Sequence, residues 1–360
     1  MKRILLLLSF LIVAVACEQT SQQVSLTWSE EEPLPKAISN NAVAAAQVDG
    51  DWFLYSFLGL EEGKTFDDIS HYAARYDVSA GVWQKIPGVP DSVGRLASTA
   101  EYVNGDIYIF GGYTVDEEGN ERTTEHVFKY DPVANTYERV ADMLLPVEDA
   151  VSLVYDDRYV YLVSGWNNTN SVSNVQMYDT QTNSWENVTP YPGRPAFGHA
   201  GGIVGNTMVL ADGVQAIVDE GEPIFKMSPG SIKGEINPED PTQISWTRLV
   251  QHPGKARYRM AAVGVEEPVE MVVFIGGSDN PYEYNGIGYN NKPAFADSTV
   301  FGYRLDTNEW VDLGTQATPS MDHRSVAKTD EGFYIIGGMV NDQKVTDMVQ
   351  KFTVDLESSN

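Results

Sequence analysis

Four arginines and two histidines fall in a handful of short loops of this chain. "VGRLA" carries Arg95, "FGHAG" carries His199, "RYRMA" carries Arg257 and Arg259, and "DHRSV" carries His323 and Arg324. The whole sequence has 24 lysines and arginines against 51 acidic residues, so such a concentration of basic groups is not what composition alone would give. An arginine presents a planar fork of donors that grips a carboxylate with two bonds at once. Two similar loops, "ISNNA" and "VEDAV", bring Asn40, Asn41, Glu148 and Asp149. Gathered in one place, these groups form a site for an acidic sugar or an acidic peptide segment, with Asn41, Arg95, His199, Arg257, Arg259, His323, Arg324 and the aromatics Tyr113 and Trp166 as its binding residues. Catalysis there would need a proton donor and acceptor, for which Glu148, Asp149, His199, Asp212 and His323 are the candidates. A plainer use of the same residues is structural: the arginines pair with Glu148, Asp149 and neighbouring carboxylates, and the histidines and Asp212 serve as packing and turn groups.

A repeat would bring these loops together. The segment "GDIYIFGGY" returns as "RYVYLVSGW", "VEMVVFIGGS" and "EGFYIIGGM", and in each an alternating apolar strand runs into paired small residues, mostly glycines. A second landmark, "YDVSAGVW", "YDPVANTY", "YDTQTNSW" and "YRLDTNEW", follows three of these strands and an earlier one in "SFLGL". It reads as a strand from a buried tyrosine, an Asp-containing turn, and a return strand with a buried aromatic. The glycine strands end at Gly59, Gly112, Gly165, Gly213, Gly277 and Gly338, which counts six units of four antiparallel strands. The loops that enter each unit and those that follow the glycines, with Trp166, Asn167, Asn168, Ser278 and Asp279, would converge with Tyr258 at one mouth of a central channel.

A period near 50 residues with "GG", "YD" and "W" landmarks resembles the kelch repeat. The likeness extends over nearly the whole mature chain and implies an all-β, six-bladed kelch-type β-propeller. The last unit ends without its outer strand, and "LTWSEEEPLP" near the start matches the missing piece, so Leu26–Ser29 is expected to close the ring as the outer strand of the last blade. Within kelch propellers, size and blade number are similar to those of the bacterial N-acetylneuraminate epimerases, the sialate mutarotases, which implies a mutarotase acting on a sialate or uronate as the alternative to a binding function. That resemblance includes the loop after Gly277 and the final repeat, but where those enzymes carry a glutamate directly after the fourth blade's glycine and an arginine soon after, this chain reads "ADGVQAIV", with Val214 and Gln215.

Other features bound the function. The net charge of −27 excludes nucleic acid and anionic membrane surfaces as partners, except through an anchor. That anchor is the N-terminal "MKRILLLLSFLIVAVAC": a basic start, an apolar run too short to span a bilayer, and small residues before Cys17, the single cysteine. "AVAC" resembles the lipobox of bacterial lipoproteins. The expectation is a signal peptide over residues 1–16, lipidation at Cys17, a tether over 17–25 and one propeller over 26–360. The address is then the bacterial cell envelope, periplasm or outer membrane. The lone thiol rules out a disulfide framework and the cysteine–tyrosine crosslink of a copper oxidase. The histidines lack metal-ligand spacing, and there is no phosphate-binding "GxxxxGK" loop or "GxSxG" nucleophile elbow. No metal or cofactor is expected, and the chain is expected to act as a monomer on an anionic carbohydrate or a protein partner.

Overall fold

The computed structural model describes residues 23–219 and 222–357. The residues read as signal peptide, the Cys17 lipidation site and the first part of the tether lie outside these. Six four-stranded antiparallel sheets follow one another along the chain, at 42–85, 99–139, 151–187, 200–248, 261–315 and 327–357, the sixth completed by Gln23–Glu30. They are the six blades of a propeller. Helix among the described residues is confined to two single turns, Phe66–Asp68 and Asn341–Gln343.

Ring closure works as the sequence implied. Gln23–Glu30 pairs antiparallel with Val349–Glu357 over its whole length, and Trp28 lies opposite Phe352 with ring centroids 5.0 Å apart. The strand starts at Gln23, three residues before the expected Leu26, so the end of the tether is part of the fold. It satisfies the edge that the last blade would otherwise leave open.

The tyrosine–tryptophan landmarks are cross-strand pairs. Tyr76 faces Trp83, Tyr130 faces Tyr137, Tyr178 faces Trp185 and Tyr303 faces Trp310, with centroids 4.8–5.2 Å apart. The intervening aspartate holds the turn: Asp131 Oδ1 accepts from the amides of Val133 and Ala134 at 2.8 Å. The fourth blade lacks the tyrosine. Gly234 occupies its place opposite Trp246, and a Cβ there would come within 2.5 Å of the indole.

Inner strands such as Ala42–Val48 (AVAAAQV) and Ala200–Val204 (AGGIV) are built of small residues because six of them converge on one axis. Between the fourth and fifth blades the backbones nearly touch, and a Cβ on Gly202 would lie 2.6 Å from the amide of Gly264.

The paired glycines fasten blade to blade. The amide of the second glycine donates to a carbonyl of the next blade's entering loop: Gly59 to Arg95, Gly112 to Val147, Gly165 to Ala196, Gly213 to Arg257, Gly277 to Ser320 and, closing the ring, Gly338 to Ile38. Both residues of each pair have positive φ. The conformation and the tight approach together explain the choice of glycine at Gly112, where a Cβ would sit 2.5 Å from the carbonyl oxygen of Leu96.

Candidate functional site

Each entering loop makes one antiparallel bridge to the segment after its own blade's glycines: Ser39 to Leu60, Leu96 to Tyr113, Glu148 to Trp166, Phe197 to Val214, Tyr258 to Ser278 and Met321 to Met339. The residue after each bridge, Asn40, Ala97, Asp149, Gly198, Arg259 or Asp322, has φ between 50° and 74°. Amides and carbonyls run between neighbouring members, as from Gly198 to Asp149 and from Arg259 to Gly198, both 2.8 Å. These six residues are the hub of the ring.

The six entering loops differ in length, so the basic residues quoted from them do not all reach the axis as expected. Arg95 and Arg257 stand one residue before the bridge and belong to the walls between blades. Arg95, 1% exposed, donates to the carbonyls of Gly111 and His126 and lies 3.5 Å from Asp91. Burial, partly offset by Asp91, lowers its guanidinium to about 10. Arg257 pairs with Asp297 at 2.9 Å and donates to the Lys255 carbonyl. Neither lines the cavity at the mouth: Arg95 lines a separate cavity of about 580 Å³ with Asp91, Arg122 and His126, and its Nη2 has no hydrogen-bond partner. Arg259 and Arg324 do meet at the hub, but with carboxylates. Arg259 binds Asp149 at 2.7 Å and Asp322 at 3.1 Å, Arg324 binds Asp149 at 2.6 Å, and Arg324 also donates to Asn40 Oδ1. Asn40 Nδ2 donates to Asp322 and the Tyr258 hydroxyl to Asp149. Burial opposes ionisation of Asp149, yet the two arginines outweigh it and hold the carboxyl below its ordinary value. Two arginines and two aspartates thus neutralise one another, and the structural use of these residues is the one realised.

The other expected site residues are also placed. Asn41 donates to Ser56 Oγ at 2.9 Å and to the Ile336 carbonyl, stitching the last blade to the first. Asp212, in the left-handed first position of its glycine pair, accepts from His252 Nε2 at 2.7 Å and from the Arg257 amide, so it is a buried inter-blade clasp and no free acid. Burial lowers His199 to about 4, so its imidazole is neutral. His323 is lowered by burial and by Arg324 to about 3, and its Nε2 meets Ser320 Oγ at 2.9 Å. Tyr113 is 2% exposed in the apolar layer beneath the mouth. Ser278 is buried in its bridge and Asp279 pairs with Lys255 at the surface.

Glu148 and Trp166 are different: they face an opening. Above the hub, the Tyr113–Val115 and Glu121–Thr123 hairpin, the loop after Trp166, the Val214–Asp219 and Glu222–Met227 hairpin, and the segment 278–298 surround a cavity of about 560 Å³. Glu148, Trp166, Phe197 and Phe225 line it, with Glu121, Asn168, Glu283, Tyr284 and Tyr289 among their neighbours. Trp166 packs 5.5 Å from both Phe197 and Phe225, and Phe225 stacks on Tyr289 at 4.2 Å. Asn168 Oδ1 accepts from the Thr123 amide at 2.7 Å, which fixes the hairpin to the next blade. Glu148 is 5% exposed and its Oε2 has no hydrogen-bond partner. Burial first, then Asp149 and Glu121, push its carboxyl well above the usual range, so it is held protonated. Partial burial also raises Glu121.

Sequence reasoning missed Glu121, Phe225, Glu283, Tyr284 and Tyr289. Two signals could have flagged all but Phe225: the acidic turn "VDEEGNE" and the aromatic-rich "PYEYNGIGYNN", both in loops that follow paired glycines. At the opposite end, the inner strands enclose a channel cavity of about 510 Å³. Its notable group is Glu101, which accepts from Ser152 Oγ at 2.6 Å and is raised by burial to about 7. The mouth cavity is the better site, because Glu148 there has an oxygen without a partner and its walls are aromatic.

Comparison with known proteins agrees with this architecture. A family profile described as Attractin/LZTR1 beta-propeller matches residues 54–349. Kelch-like protein 15 of Gallus gallus is 35% identical over 136 residues, which is 37% of this chain and 26% of that protein. Kelch-like protein 15 of Mus musculus is 24% identical over 280 residues, 76% of this chain and 43% of that protein. The chain therefore spans less than half the length of these relatives. A solved structure titled "Structure of YjhT" superposes with a TM-score of 0.70 at 16% identity, covering 90% of this chain and 99% of that one, a likeness of fold. With six kelch-type blades and a profile match over most of its length, the chain belongs to the Attractin/LZTR1 beta-propeller family.

Proposed function

We propose that this protein is a ligand-binding propeller whose binding site is the mouth cavity above the hub. The observation that carries this reading is Glu148, a buried carboxyl with an unpartnered oxygen on the cavity wall. A buried polar atom left without a partner costs about 1–3 kcal/mol, which a ligand donor would recover. Aromatic walls of Trp166, Phe225 and Tyr289 suit the apolar face of a sugar ring, and Asn168 and the carboxyls suit its hydroxyls. An acidic sugar has less support than the sequence suggested, since Arg259 and Arg324 are already paired with Asp149 and Asp322.

A second reading, mutarotation of a sugar, is favoured by one observation: Glu148 and Glu121 line the same cavity and both hold protons more tightly than ordinary carboxyls. Ring opening needs an acid at the ring oxygen and a base at the anomeric hydroxyl, which such a pair supplies. One experiment addresses both readings. Freshly dissolved glucose, sialate and glucuronate are each mixed with the protein and followed by NMR. Saturation transfer to a sugar, lost in Trp166→Ala, supports binding, and its absence for every sugar counts against the pocket. Anomer exchange faster than in buffer and lost in Glu148→Gln supports catalysis; exchange at the buffer rate removes it.

The lipobox-like "AVAC" supports an address on the cell envelope through acylated Cys17. Intact-mass analysis of protein from a bacterial host should show an acyl adduct that Cys17→Ser lacks; an unmodified wild-type mass would refute the anchor.

A further inference from the structure

The charges around the mouth do not balance, and the imbalance has a location. In the hub, Asp149 and Asp322 are matched by Arg259 and Arg324. Immediately above it, Glu121, Glu148 and Glu283 line the cavity, no lysine, arginine or histidine does, and none of the three glutamates has an ion pair among the described residues. Glu121 and Glu283 lie at the rim, where the Glu121 side chain is open to solvent although its carboxyl is partly desolvated, whereas Glu148 is buried at the floor.

We propose that the mouth pocket takes a small ligand bearing a positively charged amino group, which Glu148 receives at the floor beneath the aromatic wall of Trp166, Phe225 and Tyr289. The inference rests on the mouth cavity being the binding site, and adds the charge of what it binds. Three physical arguments converge on it. An ammonium donates to the Glu148 carboxyl, whose Oε2 has no partner, and takes the place of its proton, whereas a carboxylate or phosphate would be repelled by the glutamates at the rim. The aromatic faces, with Phe225 and Tyr289 stacked 4.2 Å apart, attract a cation through their quadrupoles. The rim glutamates and the net charge of −27 raise the local concentration of cations before contact.

The protonation of Glu148 makes binding pH-dependent. Asp149 and Glu121 favour its neutral form, Arg259 and Arg324 favour the carboxylate, and Tyr113, Glu283, Tyr284 and Tyr289 are the remaining titratable groups around it. A bound ammonium adds to the side of the arginines, so binding expels a proton and affinity rises with pH. The same ammonium could be carried by an amino sugar or by a free amine, and the probes separate these.

The test is calorimetric titration of the full chain with glucosamine, glucose, glucuronate and methylammonium at several pH values and in buffers of different ionisation enthalpy. Glucosamine is expected to bind at least about 10-fold more tightly than glucose at neutral pH, with proton release, and glucuronate more weakly than glucose. Methylammonium binding as well as glucosamine assigns recognition to the ammonium alone; weaker binding assigns it to an amino sugar. Glu148→Gln should bring the glucosamine-to-glucose ratio near unity, and Glu283→Gln, at the exposed rim, should lower it about 2–3-fold. If glucose or glucuronate binds as tightly as glucosamine and Trp166→Ala abolishes that binding, the charge inference falls and the pocket stands. If no probe binds, both fall.

Discussion

Glu148 and Asp149 are neighbours in the chain, both acidic and both at most 5% exposed, yet they belong to two regions of opposite design. Asp149 sits in the hub, where Arg259 and Arg324 hold it ionised and the Tyr258 hydroxyl adds a bond. Glu148 sits one residue earlier, in the bridge to Trp166, and faces the cavity with a carboxyl that burial and its acidic neighbours keep protonated. The left-handed turn at Asp149 sends the two side chains to different surroundings. Paired charge in this protein builds structure, and a carboxyl without a partner is left for a ligand. A count of charged residues in a loop cannot separate the two.

The contrast can be broken most forcefully at the hub. Asp149→Ala leaves two buried guanidinium groups to share Asp322 alone, and a loss of about 3–5 kcal/mol is expected in urea denaturation. A loss below about 1 kcal/mol would show that the hub network does not hold the ring. Glu148→Gln sharpens the other half. The amide resembles the protonated carboxyl, so below the ordinary carboxylate range the variant should match the wild type within about 1 kcal/mol. Because the folded state holds the Glu148 proton more tightly than the unfolded chain does, wild-type stability falls as pH rises above the carboxylate's usual value. The variant should lack that fall and become the more stable protein at neutral pH. Parallel pH profiles for the two would mean that Glu148 ionises freely in the fold.

Much of the fold could be read from residues. Six glycine ends, the tyrosine–tryptophan landmarks and the orphan Trp28 strand all report local geometry, in which a residue type answers to a backbone angle or a cross-strand neighbour. The residue patterns failed at the fourth blade, where Gly234 and Trp246 share the space of an aromatic pair, and at the register of the entering loops, where Arg95 was placed two residues too close to the axis. Neither failure involves a wrong strand. The first involves which side chain meets which across two strands of one blade, the second which residue of an entering loop reaches the axis.

The amino-acid sequence by itself determined the count of blades, the paired glycines that join them and the strand that closes the ring, because each depends on period and on conformations open to few residues. Only the tertiary structure decided what the charged loops do. Asp149 meets Arg259 across 110 positions of sequence, and whether an arginine is free or neutralised depends on such partners, on burial, and on the turn that aims it. The same ring geometry that brings those residues together leaves Glu148 unpaired at the floor of the mouth.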